Sequence, residues 1–176
     1  MSQQPARLLL DNMDFLTGLD RALPVLDLAC GKGRNTLALA EQGLSLVFAD
    51  KSVTALAVVV QRLLEAGLSA RAWHVDLEQP QVDALSALSF GAIICFRYLH
   101  RPLFPAIRQA LMPGGLLIYQ TFTTEQARFG RPSNPDFLLR PGELKAEFQA
   151  WELIHYFEGV LQNPGRAVAQ IVARKP

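Results

Sequence analysis

Val25-Leu26-Asp27-Leu28-Ala29-Cys30-Gly31-Lys32-Gly33-Arg34-Asn35 is a buried-type strand that runs without a linker into a glycine turn and then into a helix. Gly31 and Gly33 have no Cβ, so the backbone can turn tightly and a ligand can lie against it. The helix that follows, Gly33 to Glu41, opens with free N–H groups that favour a carboxylate or phosphate. This is not a phosphate-cradling loop, which would end in Lys-Ser/Thr, and Ala29 stands where a dinucleotide fingerprint has its first glycine.

Outward from this stretch the chain alternates short apolar runs with amphipathic ones, the pattern of parallel strands joined by crossover helices. Strands are expected at Leu23 to Ala29, Leu44 to Ala49, Ala70 to Val75, Phe90 to Phe96 and Leu116 to Phe122. Helices are expected at Val53 to Glu65, capped by Ser52 and stopped by Gly67, and at Leu103 to Leu111, closed by the turn Met112-Pro113-Gly114-Gly115. The rhythm then breaks. Thr123 to Arg140 reads as a structured loop, Gly142 to Ala150 as a helix opened by Pro141, and Trp151 to Val160 with Ala167 to Arg174 as an antiparallel hairpin turned by Gln162-Asn163-Pro164-Gly165. Before the first strand, amphipathic Pro5 to Leu19 is expected to form a helix that covers it.

The 176 residues are one domain's worth, and half of them are apolar, which excludes a disordered chain. No apolar run reaches membrane-spanning length. Seventeen Lys and Arg against sixteen Asp and Glu leave no global field for a polyanion, so neither nucleic acid nor membrane is an expected partner. Met1-Ser2-Gln3-Gln4-Pro5 lacks the marks of a secretory signal, so the protein is expected to be cytoplasmic. Cys30, Cys95, His74, His100 and His155 show no metal-ligand spacing, and no metal is expected. The two thiols read as small buried filler, with a redox role as the alternative.

Three acids or polar clusters sit where strands end. Asp50 closes the second strand roughly 17 residues after Gly33, the place from which a carboxylate accepts bonds from a nucleoside ribose. Asp76 closes the third, in reach of an adenine amino group, and Cys95, Phe96 and Arg97 close the fourth beside the first. All face one crevice.

This constellation resembles the class I S-adenosylmethionine-dependent methyltransferases over nearly the whole chain. The matching segments are Leu26 to Asn35, Asp50, His74-Val75-Asp76-Leu77 and Leu111-Met112-Pro113-Gly114-Gly115. Cys30-Gly31-Lys32-Gly33-Arg34-Asn35 and Pro141-Gly142-Glu143-Leu144 look most like the small tellurite-resistance-type members. The resemblance implies a doubly wound, Rossmann-like α/β domain whose seven strands are ordered 3-2-1-4-5-7-6, the last antiparallel. It implies S-adenosyl-L-methionine as methyl donor, with Asp27 and Gly31 near the methionine part, Asp50 on the ribose hydroxyls and Asp76 with Leu77 at the adenine. Ala29, Cys30, Gly33, Arg34, Lys51, Cys95 and Phe96 complete the expected cofactor set. For Asp27 a second reading stays open, that its carboxylate satisfies N–H groups of the turn. Ala29, where members often have Gly, departs from the pattern.

On the acceptor side, Cys95-Phe96-Arg97-Tyr98-Leu99-His100-Arg101-Pro102 differs from the Asn/Asp-Pro-Pro-aromatic segment of members that methylate planar amino groups. Arg97, Tyr98 and His100 are the candidate catalytic residues, His100 as a base, with helix capping or packing on Tyr98 as the other reading. Arg101 at the crevice mouth is a candidate acceptor contact, as are Arg128, Arg131, Asn134 and Arg140 on a lid from 123 to 140 whose Phe129, Phe137, Leu138 and Leu139 are expected to be buried by closure. The expected activity is methyl transfer to a small anionic or soft nucleophile such as tellurite, another oxyanion or a thiol. A non-catalytic nucleoside-binding domain and a nicotinamide-dependent oxidoreductase are the competing readings. A small molecule is the expected partner of a monomer or homodimer.

Overall fold

The computed structural model describes residues 4–79, 85, 87–162 and 164–176. Residues 1–3 and Asn163, a member of the expected hairpin turn, lie outside them. Seven strands form one sheet: β1 Val25–Leu28, β2 Leu46–Asp50, β3 Arg71–His74, β4 Phe90–Phe96, β5 Leu111–Phe122, β6 Glu152–Leu161 and β7 Arg166–Arg174. Their order is β3-β2-β1-β4-β5-β7-β6, as the resemblance implies. β1 pairs in parallel with β2 and β4, and β4 with β5, while β7 runs antiparallel between β5 and β6.

Helices α1 Arg7–Leu10, α2 Met13–Thr17, α3 Arg34–Ala40 and α4 Val53–Glu65 share one face, and α5 Leu103–Ala110 and α6 Glu143–Glu147 the other. Side chains alternate along each strand, so the central strands are apolar on both sides. Ile94 and Ile118 join Leu9, Leu39, Val59 and Leu63 on the first face. Ile93, Leu117 and Tyr119 join Phe104, Ile107, Leu144 and Phe148 on the second.

Three expectations change. The helix over Pro5 to Leu19 is two short helices, broken where the Asn12 side chain donates to the Leu8 carbonyl at 2.8 Å in competition with the backbone. It covers Val25 and reaches the middle of the sheet, where α1 lies against β5. The turn Met112 to Gly115 is drawn into the start of β5, because the Gly114 N–H donates to the Lys175 carbonyl at 2.8 Å and the Lys175 N–H to the Gly115 carbonyl at 2.9 Å. Lys175 Nζ also bonds the carbonyls of Arg108 and Leu111 at 2.7 Å, supplying the cation that ends α5.

The loop from 123 to 140 is pinned rather than free. Gln126 is buried, its Oε1 accepting the Ala167 N–H at 2.9 Å, and the Leu139 N–H donates to the Phe122 carbonyl at 2.9 Å. Leu138 and Leu139 are buried as expected, whereas Phe129 and Phe137 are 42% and 52% exposed. Phe129 lies against Gly165 of the hairpin turn, and Phe137 borders a cavity.

Candidate active site

The turn after β1 is held by three residues in the left-handed region, Ala29 at φ 55°, Gly31 at φ 57° and Gly33 at φ 72°. The two glycines serve different ends. A Cβ on Gly33 would stand 2.6 Å from Val59 Cγ2, so this position lets α3 and α4 approach; a Cβ on Gly31 would meet nothing within 4 Å. Gly31 therefore faces open space. Its N–H donates to Asp50 Oδ2 at 2.8 Å, and the Ser52 N–H donates to Asp50 Oδ1 at 2.9 Å. One carboxylate thus latches the β1 turn to the end of β2, and each oxygen retains a second lone pair.

Asp27 lies at the centre of β1, 2% exposed, and accepts the Thr36 hydroxyl at 2.6 Å. Burial pushes its carboxyl up to about 7, against the pull of Thr36 and Arg34. The carboxylate holds α3 onto the strand through Thr36, whose main chain it also bonds, close to the reading that it satisfies N–H groups of the turn. Asp76 is partly buried, accepts the Glu78 N–H and the Gln79 amide at 3.0 Å, and is held below the usual carboxylate range by those bonds, Lys51 and His100. Lys51 pairs with Glu78 at 2.7 Å. Leu77 and Phe96 are buried in the two cores.

Cys95 is fully buried, and burial pushes its thiol up to about 12; Cys30 shifts upward for the same reason. Both stay protonated, which favours the filler reading. Tyr98 is half-buried, its hydroxyl pushed up by burial and by Glu78, so it stays neutral. His100 caps α5 through its main chain, its carbonyl accepting the Leu103 N–H at 2.9 Å. Arg97 stands at φ 60°, its N–H bonded to the Gln120 carbonyl at 2.8 Å, and its side chain borders cavities of about 820, 530 and 290 Å³.

The expected acceptor residues divide. Arg131 and Asn134 border the 530 Å³ cavity with Arg97. Arg101 is engaged elsewhere: its Nη2 donates to Glu143 Oε2 at 2.9 Å and to the Leu138 carbonyl at 2.8 Å, clamping the loop to α6. Arg128 lies exposed beside Glu125 at 3.7 Å, and the Arg140 main chain bonds Glu143. Missed from sequence were Arg34's neighbours Arg166, Gln120, Gln170 and His155. Gln120 and Gln170, polar residues inside otherwise apolar strands, were the signal that marks them.

Residues 25–115, just over half the chain, match the family model described as Methyltransferase domain. The chain belongs to that family. The sheet order is the one that the resemblance to class I S-adenosylmethionine-dependent methyltransferases implies. TehB from Haemophilus influenzae superposes with a TM-score of 0.77 at 21% identity, over 96% of this chain and 61% of that one. The present chain thus spans less than two thirds of TehB. The glycopeptide N-methyltransferase MtfA, solved with S-adenosyl-L-methionine, gives 0.63 at 18% identity over 94% and 93% of the two chains. The [4+2]-cyclase SpnF gives 0.69 at 19% over 94% and 80%, so the fold also carries other chemistry. No curated protein matches the chain. Among the described residues no cluster of His, Cys, Asp and Glu is placed to hold a metal ion, and no helix is long and apolar enough to cross a membrane.

Proposed function

We propose that this methyltransferase moves the methyl group of S-adenosylmethionine onto a small-molecule acceptor, an anionic or soft nucleophile. The observation that carries the reading is the latch between Gly31 and Asp50 beside the open space at Gly31. It shapes a pocket edge that offers acceptor lone pairs to two ribose hydroxyls. Asp76, charged over the whole neutral range and partly open to solvent at the end of the next strand, offers the same to an amino edge. The donor set fits the cofactor, with Asp50 and Asp76 as its acceptors and the Gly31 turn as its floor.

When bound, the cofactor supplies an electrophilic methyl on a positively charged sulfur. The chain's own task is alignment and exclusion of water. Arg97 stands where the cavities meet and draws negative charge toward the ends of β1 and β4. The pinned loop brings Arg131 and Asn134 to the rim of the cavity that Arg97 also borders. Tellurite, another oxyanion and a thiol are the acceptors such a site suits. Isothermal titration with S-adenosylhomocysteine tests the cofactor half: binding by the wild type, weakened about tenfold or more in Asp50→Ala, is expected. No binding by the wild type refutes the reading.

A further inference from the structure

A cavity of about 820 Å³ lies beside the glycine turn, walled by the N-terminal segment, the start of α3, the end of β4 and the β6–β7 hairpin. Arg34, Arg97 and Arg166 all line it. Among the described residues, neither the Arg97 nor the Arg166 side chain has a hydrogen-bond or ion-pair partner, and Arg166 Nε is buried without one. Arg34 reaches only the Gln4 carbonyl, at 3.4 Å. Burial and the neighbouring guanidinium groups together hold Arg34 and Arg97 below the usual arginine range. Asp11 also lines the cavity, but it is paired with Arg7 at 2.7 Å. Three partly desolvated cations facing one space are stabilised when an anion enters it.

Polar side chains complete the lining beside the arginines, among them Gln120, whose main-chain carbonyl accepts the Arg97 N–H at 2.8 Å. Gln170 Nε2 donates to Gln120 Oε1 at 2.9 Å, and Gln170 Oε1 lies 3.2 Å from His155 Nε2. An amide oxygen only accepts, so His155 donates to it through Nε2, and in the neutral imidazole Nδ1 is the acceptor. A ligand here meets guanidinium donors and an imidazole within one cavity. The volume is far more than a bare oxyanion fills and lies inside the range of about 300–1,000 Å³ typical of small-molecule sites.

We propose that this cavity is the acceptor site and that the acceptor is an organic acid: an oxyanionic group between Arg97 and Arg166, on a body whose O–H, N–H or S–H points at His155. The proposal rests on the methyl-transfer reading and narrows its acceptor from any anion to a carboxylate or phosphate carried on carbon. Two calorimetric arms test it on the full chain, free and saturated with S-adenosylhomocysteine. In the first, 3-mercaptopropionate and O-phosphoserine are titrated beside the uncharged 3-mercaptopropionamide, sulfate and tellurite. Binding of either organic acid, with the amide and the inorganic ions weaker by about tenfold or more, is expected. Equal binding of the amide or the inorganic ions, or no binding of either acid, overturns the proposal.

In the second arm, Arg97→Met and Arg166→Met are each expected to weaken the acid about tenfold or more, while S-adenosylhomocysteine affinity changes less than about twofold. Parallel loss of both ligands overturns the proposal and assigns these guanidinium groups to the cofactor's own carboxylate. Should the variants fail to fold, the acid-against-amide comparison on the wild type still decides. Retained S-adenosylhomocysteine binding without acid binding sinks the proposal alone; absent S-adenosylhomocysteine binding sinks the parent reading.

Discussion

Substituting alanine at Gly31 and at Gly33 separates ligand room from packing within a single turn. Both residues are left-handed, at φ 57° and 72°, so both variants carry backbone strain of about 1–2 kcal/mol. Gly33→Ala adds a Cβ at 2.6 and 2.8 Å from the two methyls of Val59, which is fully buried. Overpacking of that kind costs about 1–3 kcal/mol more, for a total of about 2–5 kcal/mol. In a domain of this size that lowers Tm by about 4–20 °C. Gly31→Ala meets open space and is expected to lose only the strain, yet its methyl occupies the room left for the cofactor. Urea unfolding of both variants, of Val59→Ala and of the Gly33→Ala/Val59→Ala pair measures the packing. The pair should recover the overpacking, a coupling of about 1–3 kcal/mol. Titration with S-adenosylhomocysteine measures the room, and Gly31→Ala should bind more weakly than its stability loss explains. Strict additivity at Gly33 and Val59, or unchanged affinity in Gly31→Ala, refutes the two-role account.

Asp27 makes stability depend on pH. Its carboxyl titrates near 7 in the fold against about 4 unfolded, so the native state binds the extra proton between those values and stability falls as pH rises through that window, by on the order of 4 kcal/mol. Asp27→Asn should flatten that slope in denaturant melts from pH 4 to 8; an unchanged slope places the titration elsewhere. Arg101→Met removes the clamp between the 123–140 loop and α6 and leaves Glu143, a partly exposed partner, unpaired. Because Glu143 keeps its bond from the Arg140 N–H, a loss of about 1–3 kcal/mol is expected, with faster protease cutting in the loop. Equal cutting rates in wild type and variant would show that Gln126 and Leu139 hold the loop without it. Lys175→Met strips the cation from the end of α5 and is expected to cost about 1–2 kcal/mol, read from urea midpoints.

Much of the architecture was readable because parallel strands buried on both faces leave an unmistakable pattern. Ile93-Ile94 and Leu117-Ile118 each supply both cores at once, so apolar runs between helical stretches mark the central strands. Boundaries drifted where the bonds of a single residue overrode local preference. Asn12 split the first helix by bonding Leu8, and Lys175, more than sixty residues away in sequence, drew Gly114 and Gly115 into β5. Neither contact leaves a local signature. The placement of Gly31, Asp50 and Asp76 was legible for a related reason: they stand at strand ends, and strand ends follow from periodicity. The arginines were not, since proximity in a loop says nothing of which carboxylate is near. Arg101 looked free until Glu143, forty-two residues on, was found against it. Arg166 escaped notice because it opens the hairpin's second strand, and only the sheet order carries that end to Arg34 and Arg97.

The bond from the Gly31 N–H to Asp50 means that the turn holds its form before any nucleoside arrives. Association then spends no conformational entropy on shaping the loop, so cofactor analogues differing only in ribose or base should be ranked by the contacts they make and arrive at similar rates. Cutting the tie does more than delete a carboxylate acceptor at the strand end. It returns a five-residue connection to an ensemble, and every ligand that touches it, whatever its own chemistry, must then select the competent shape from that ensemble.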